Sequence, residues 1–174
     1  KRLKTWNPFT GCNFNCSYCW ARKLAETKLK ASYLNGFIPE FHPERLKVSF
    51  KPDDFVFVCS MGDIAFAPSL VMNVIVQTAQ KYSETKFLLC TKDPSCFHAG
   101  VGFPPNVYLG ATIETTQNFS HLTKAPSPIK RFRQLANHPH HQKFISIEPI
   151  MDFDLFQLLD WVELLKPEII EVGA

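Results

Sequence analysis

Five short apolar runs, spaced from residue 55 onward, constrain the fold of this chain more than any other feature. Phe55-Val-Phe-Val-Cys59, Lys86-Phe-Leu-Leu-Cys90, Val107-Tyr-Leu-Gly-Ala-Thr-Ile113, Lys143-Phe-Ile-Ser-Ile147 and Glu168-Ile-Ile-Glu-Val172 lack the polar alternation of a half-exposed strand. Runs of this kind belong to strands buried on both faces. Between the first two, Val71, Val74, Ile75, Thr78, Ala79 and Tyr82 recur at the spacing of one helical face. Ser127-Pro128 supplies an N-cap and a first-turn proline before Ile129, Phe132, Leu135 and Ala136. Asp152 or Asp154 can cap a helix carrying Leu155, Leu158, Leu159, Val162 and Leu165, which Pro167 ends. The stretch with Pro94, Gly100, Gly102, Pro104 and Pro105 reads as loop with at most one helical turn. Leu3–Trp6 offers a sixth strand. Doubly buried strands with helical crossovers imply a parallel sheet with helices outside, wound as a barrel or spread as a doubly wound sheet. Six strands favour an α/β fold of the open partial (β/α)6 barrel kind, in a single domain over residues 1–174. Polar residues gather where these strands end, at Asp63, Thr91, Lys92, Thr112, Glu114 and Glu148, as chemistry does in parallel α/β folds.

With 174 residues, 45% of them hydrophobic and 16 of them Phe, the chain has the material for a core, which excludes a disordered protein. No apolar run approaches the roughly 18–20 residues of a membrane span. Lys1-Arg2-Leu3-Lys4 leads into Thr-Trp-Asn-Pro rather than into an apolar signal segment. A soluble, cytoplasmic protein is expected. The chain does not begin with Met, as a fragment or trimmed chain would not, and it ends just as a sixth strand closes, so a core cut short of C-terminal substrate-binding elements is also expected. The net charge of +3 is uneven: residues 1–30 hold seven Lys/Arg against Glu26, or +6, and the remainder holds 12 against 15, or −3. A basic N-terminal stretch can attract phosphate, a nucleic acid or an anionic cofactor, and it equally suits a solvated helix face. Without aromatic residues interleaved along a groove, nucleic acid is only a weakly supported partner.

Of six cysteines, Cys12, Cys16 and Cys19 fall within eight residues, while Cys59, Cys90 and Cys96 are scattered. Three close cysteines cannot all pair among themselves, and a secreted disulfide scaffold spaces them more evenly. Thiolates select zinc or iron–sulfur clusters. Structural zinc takes four ligands, commonly from two Cys-x-x-Cys hooks, and only one hook, Cys16 with Cys19, is present. Cys59, Cys90, Cys96, His42 or His98 can in principle donate a fourth ligand, although Cys59 and Cys90 sit in apolar strands as small hydrophobes. Three ligands on one loop leave a metal position open for reaction.

The Cys-x3-Cys-x2-Cys spacing, with Tyr18 before the last cysteine and a strand ahead of the loop, resembles the radical S-adenosylmethionine (SAM) superfamily. The partial (β/α)6, TIM-barrel-like core of that superfamily also fits six strands. Thr5-Trp-Asn-Pro-Phe-Thr-Gly-Cys12, Ser60-Met-Gly-Asp63, Thr91-Lys92 and Ser146-Ile-Glu-Pro149 look like an uncharacterised, phage-associated branch of it. The resemblance implies that Cys12, Cys16 and Cys19 hold three irons of a [4Fe–4S] cluster. SAM would chelate the fourth iron through its amino and carboxylate groups. Reductive cleavage of SAM would then give methionine and a 5′-deoxyadenosyl radical that abstracts a substrate hydrogen.

By position, the resemblance lays Tyr18 against adenine and gives Asp63 the methionyl amine, although Met61-Gly62-Asp63 replaces the Gly-Gly-Glu frequent in the superfamily. Lys92 would meet the methionyl carboxylate, and Thr112 and Glu114 the ribose hydroxyls. Glu148 would meet ribose or substrate, and Gly173 would let backbone approach adenine. A flavodoxin- or ferredoxin-type electron donor is implied, and the substrate is not. His138-Pro-His140-His141 reads as a solvated loop, and Trp161 as a core residue. The competing reading is a non-catalytic metal-binding or nucleic-acid-interacting module, which has no need of the strand-end series Asp63, Thr112 and Glu148.

Overall fold

Leu3–Trp6 does form a strand, β1, and it pairs in parallel with a later one, Phe55–Val58. In the computed structural model, which describes residues 3–98 and 100–173, the elements follow the order read from the sequence, with additions near the N-terminus. Lys1 and Arg2, counted in the basic stretch, lie outside the described residues. After β1 come β2 (Phe9–Thr10), α1 (Trp20–Glu26) and β3 (Glu40–Phe41). Then follow β4 (Phe55–Val58), α2 (Ser69–Lys81), β5 (Lys86–Thr91) and β6 (Val107–Thr112). The last four are α3 (Pro128–Asn137), β7 (Lys143–Ile147), α4 (Leu155–Leu165) and β8 (Ile169–Val172).

The large sheet is parallel throughout, with strands in the order β1-β4-β5-β6-β7-β8. That order is monotonic along the chain. Successive right-handed crossovers therefore all fall on one side of the sheet, which curls into a half-barrel instead of a doubly wound sheet. The convex face carries the main core. Val56, Val58, Phe87, Leu89, Leu109, Ala111, Ile145 and Ile147 alternate outward and pack against the helices that cover the sheet. α3 contributes Phe132 and Leu135, and α4 contributes Leu158, Trp161 and Leu165. Trp161 stacks on Phe132 with ring centres 5.1 Å apart, as its core assignment requires.

Of the local expectations, those for the helix starts hold and that for the histidine loop is corrected. Ser127 stands at the N-cap of α3 with Pro128 in its first turn, although the Ser127 side chain makes no cap hydrogen bond. At α4, Asp154 is the cap, accepting from the Gln157 N–H at 2.9 Å, and Lys166 in a left-handed conformation closes the other end. The histidine loop is not simply solvated. His138 is buried, both His138 and His140 pack edge-on to Phe103, and His140 Nε2 lies 2.7 Å from the Val107 carbonyl. Only His141 of the three is exposed. Among the described residues no helix is long and apolar enough to cross a membrane.

The concave face explains where a site can form. Register places Phe57 beside Leu88, Leu88 beside Tyr108, Gly110 beside Phe144, and Thr112 beside Ser146 beside Glu171. Side chains of equal parity share a face, so Leu88, Tyr108 and Phe144 form an apolar floor in the lower part of the half-barrel. Cys90 shares the row of Phe144, and Thr112, Ser146 and Glu171 stand above that floor at the carboxyl ends.

Candidate functional site

A cavity of about 550 Å³ opens at those carboxyl ends, within the size range of small-molecule sites. Its sheet wall carries Ser60, Gly62 and Asp63 after β4, then Cys90, Thr91 and Lys92 around the end of β5. Thr112, Ser146, Glu148 and Glu171 continue the wall across β6 to β8. The opposite wall is the cysteine loop with the start of α1, contributing Cys12, Cys16, Tyr18, Cys19 and Trp20.

Backbone pairing against the loop after β4 holds the cysteine loop over the sheet. The Gly11 N–H donates to the Met61 carbonyl at 2.9 Å, and the Asp63 N–H donates to the Gly11 carbonyl at 3.1 Å. Both glycines at this crossing are required. Gly11 has φ +81°, and a Cβ there would run into the Ile38 carbonyl. A Cβ on Gly62 would come within 2.9 Å of the Gly11 backbone. The chains approach this closely only where neither carries a side chain.

Each sulfur of the triplet has a polar neighbour. Phe14 N–H donates to Cys12 Sγ and Arg22 N–H to Cys19 Sγ, both at 3.4 Å, while Cys16 Sγ lies 3.1 Å from Thr123 Oγ1. Cys19 thereby serves as the N-cap of α1. Burial, and then the nearby Asp63, push the Cys12 thiol up to about 12. Such a group ionises only when a cation compensates it. Among the described residues no three His, Cys, Asp or Glu side chains gather as a ready-made metal-binding group, these cysteines included. What the fold provides is three thiols on one cavity wall. Cys59, weighed as a fourth ligand, is buried in the main core as a small hydrophobe, whereas Cys90 reaches the cavity and lies 3.7 Å from Thr112 Oγ1.

Three of the charged residues anticipated at strand ends, Asp63, Lys92 and Glu114, prove to be tied to one another. Glu114 is 2% exposed, and its carboxylate accepts from the Tyr18 hydroxyl, from Lys92 Nζ at 2.9 Å and from Arg131 Nη1 at 2.5 Å. Burial pushes this carboxyl up, but the charges of Lys92 and Arg131 and the Tyr18 hydroxyl outweigh it and hold it at about 2. Arg131, itself 1% exposed, also donates to the carbonyls of Thr112 at 3.0 Å and Pro126 at 2.6 Å. Asp63 accepts from Thr91 Oγ1, from the Lys92 N–H at 2.9 Å and from the Ala65 N–H at 3.0 Å, and so ties the end of β4 to the end of β5. Burial pushes its carboxyl up, more than those three donors pull it down.

The positions singled out in the sequence therefore separate into two groups. Cys12, Cys16, Cys19, Tyr18, Asp63, Lys92, Thr112 and Glu148 all line the cavity. Glu114 stands behind Tyr18, and Gly173 packs against the Glu148 side chain, where a Cβ would be 3.2 Å from its carboxyl carbon. Sequence reasoning missed Ser146 and Glu171, which share the register row of Thr112 and carry the same strand-end signal. It also missed Arg131, which reads as one more charge on a helix face until the fold buries it.

A family model described as "Protein of unknown function (DUF5131)" matches residues 2–164. No curated protein matches the sequence. Among solved structures, a spore photoproduct lyase double mutant with bound AdoMet and dinucleoside spore photoproduct is similar, with 13% identity and a TM-score of 0.66. That match covers 93% of this chain and 52% of the other. A single mutant of the same enzyme matches with 12% identity and a TM-score of 0.68, covering 93% and 52%. The chain thus spans about half the length of the lyase structures it matches, and at this identity the likeness shows the shared half-barrel fold.

Proposed function

We propose, for a chain that belongs to the DUF5131 family and inherits no activity from it, that residues 1–174 form a radical SAM core domain. The observation that carries this reading is the placement of the cysteine triplet. Three thiols from one loop face a ring of polar strand ends across a cavity of about 550 Å³ in a half-barrel of the spore photoproduct lyase kind. A cubane takes each thiolate at a different iron, so three thiols from one loop can serve three of its irons. A [4Fe–4S] cluster held by Cys12, Cys16 and Cys19, with SAM at the remaining iron, would supply reductive sulfonium cleavage and hydrogen abstraction, its electron coming from a flavodoxin- or ferredoxin-type donor.

The chain's own residues would do the positioning. The Phe14 N–H favours the ionised form of Cys12, and the Arg22 N–H donates to Cys19 Sγ. Asp63 and Glu114, held by neighbouring donors, keep the ends of β4, β5 and β6 in place, and Lys92 lays its ammonium 5.2 Å from the centre of the Tyr18 ring. Tyr18 offers an aromatic face to adenine, and Lys92 offers positive charge to the methionyl carboxylate. Thr112 and Glu148 line the wall as contacts for ribose hydroxyls. Gly173, by keeping Glu148 in place, would act on the same region. Asp63 retains the carboxylate chemistry expected for the methionyl amine, and its fixed hydrogen bonds orient it.

The test is anaerobic reconstitution with iron and sulfide, followed by strong reduction with SAM and analysis of products. Formation of 5′-deoxyadenosine that disappears in Cys16→Ala supports the reading. A reconstituted protein that binds iron yet never cleaves SAM, or that instead retains one zinc per chain with an added protein ligand, overturns it.

A further inference from the structure

From α1 onward the basic N-terminal stretch, whose lysines the radical reading does not use, lies beside the cavity, whereas Lys4 is paired with Asp54 at 2.5 Å. Trp20 follows Cys19 directly, opens α1, lines the cavity and is nevertheless 55% exposed. Phe37 lines the same cavity from the segment after α1 but is only 4% exposed, with the Arg22 guanidinium 5.5 Å from its ring centre, and it supports Tyr33 with ring centres 6.4 Å apart. Tyr33 in turn lines a second, open groove of about 600 Å³ together with Lys30, Leu34 and Glu26. Cavity mouth and groove are thereby joined by the Phe37–Tyr33 ring contact, with the exposed indole at the mouth.

Cations accompany this aromatic row. Lys23 lies three residues beyond Trp20 on α1, hence on the same helical face, and is exposed. Lys28 is exposed in the following turn, and Lys30 lines the groove. Glu26, the one acid of the stretch, is paired with Arg22 at 3.7 Å. Glu148 and Glu171 lie on the sheet wall of the cavity, away from α1. The accessible rings of Trp20 and Tyr33, interleaved with lysines, are the signature missing from the sequence alone: stacking platforms accept any base, and the lysines follow the phosphates.

We infer that the surface running from Trp20 at the cavity mouth to Tyr33 in the open groove is a track for single-stranded nucleic acid, with one base stacked on Trp20 and the backbone following Lys23, Lys28 and Lys30. The inference rests on the reading of the cavity as the reaction site and names the class of its substrate.

Binding is measured with the full chain, before and after cluster reconstitution, using fluorescein-labelled mixed-sequence 15-mers of single-stranded DNA and RNA. Anisotropy gives the affinity, and intrinsic fluorescence reports stacking. Trp6 and Trp161 are buried, so quenching by the oligonucleotide reports Trp20. Three phosphate contacts give a salt slope of about −2, so affinity falls about 20-fold between 50 and 200 mM salt. Trp20→Ala weakens binding roughly 5- to 150-fold and abolishes the quenching, and Trp20→Phe restores most of the affinity. Lys23→Gln with Lys30→Gln makes the slope shallower by about 1.4. The DNA and RNA arms distinguish which sugar is accepted. Absence of binding, equal binding of duplex or of polyglutamate, or affinity unchanged by both sets of variants overturns the inference. The two readings fail separately: oligonucleotide binding without 5′-deoxyadenosine sinks the radical chemistry alone, and SAM cleavage without oligonucleotide binding sinks this track alone.

Discussion

Replacing Glu114 with Gln keeps the volume of the side chain and removes one buried negative charge. What remains is Arg131, 1% exposed, with its guanidinium facing a neutral amide. Breaking a buried pair by removing one partner costs about 3–5 kcal/mol, because the other charge stays desolvated. Titration gives a second route to the magnitude. The folded carboxyl is held at about 2 against an ordinary value of 4.5, and at 1.36 kcal/mol per pH unit this difference amounts to about 3 kcal/mol at neutral pH. The two routes agree. Since the folded value is depressed, the contribution is complete above pH 4.5 and is lost as pH falls toward 2. At pH 3 about 1.4 kcal/mol remains. Urea denaturation of the metal-free wild type and Glu114→Gln at pH 7, 4.5 and 3 should therefore show a gap of about 3 kcal/mol that narrows as the solution is acidified. A thermal midpoint roughly 6–12 °C lower at pH 7 should accompany it in a chain of this size. A gap below about 1 kcal/mol at pH 7, or one independent of pH, would refute the claim that this carboxylate is held ionised by Lys92 and Arg131.

Other substitutions test the frame of the cavity. Asp63→Ala strands the Thr91 hydroxyl and the N–H groups of Ala65 and Lys92, and should cost about 2–4 kcal/mol in urea unfolding, at about 1–3 kcal/mol for each buried group left unsatisfied and with relaxation recovering part. Gly11→Ala meets both a positive φ and the Ile38 carbonyl, so it should lower stability by more than the ~1–2 kcal/mol of left-handed strain and reduce iron incorporation per chain. Trp161→Ala empties the space beside Phe132 and should cost about 3–5 kcal/mol while leaving iron incorporation of the folded fraction unchanged.

Much of the fold was legible because burial on both faces leaves an unambiguous trace. Val107–Thr112 is buried at every position but its last, and no amphipathic element produces such a run. The small ladder of β2 and β3 left no trace, since two residues per strand show no period. The loop between residues 27 and 39 is likewise irregular, and it supplies Tyr33 and Phe37. For this reason the aromatic row was invisible: its members come from α1 and from a turn, joined only in space. Arg131 was illegible for a related reason. A lone arginine beside Lys130 and Arg133 looks like solvated charge, and only the arrival of Glu114 from β6 converts it into a buried partner.

The site and the core are set by one and the same choice of register. On the concave parity Leu88, Tyr108 and Phe144 make the floor, and Cys90, Thr112, Ser146 and Glu171 make the polar rim. On the opposite parity Leu89, Leu109, Ala111 and Ile145 are fully buried under the helices. Sliding any central strand by one residue exchanges the two sets, placing Leu89 or Ile145 in the cavity and Cys90 or Ser146 in the dry core. The penalty for burying those polar groups and the loss of the apolar ones act together, so register is pinned from both faces. Gly110 reinforces it: any side chain there would strike the Phe144 ring at 2.8 Å and lift the floor into the cavity. The polar rim that faces the three thiols is thus a consequence of how the core packs.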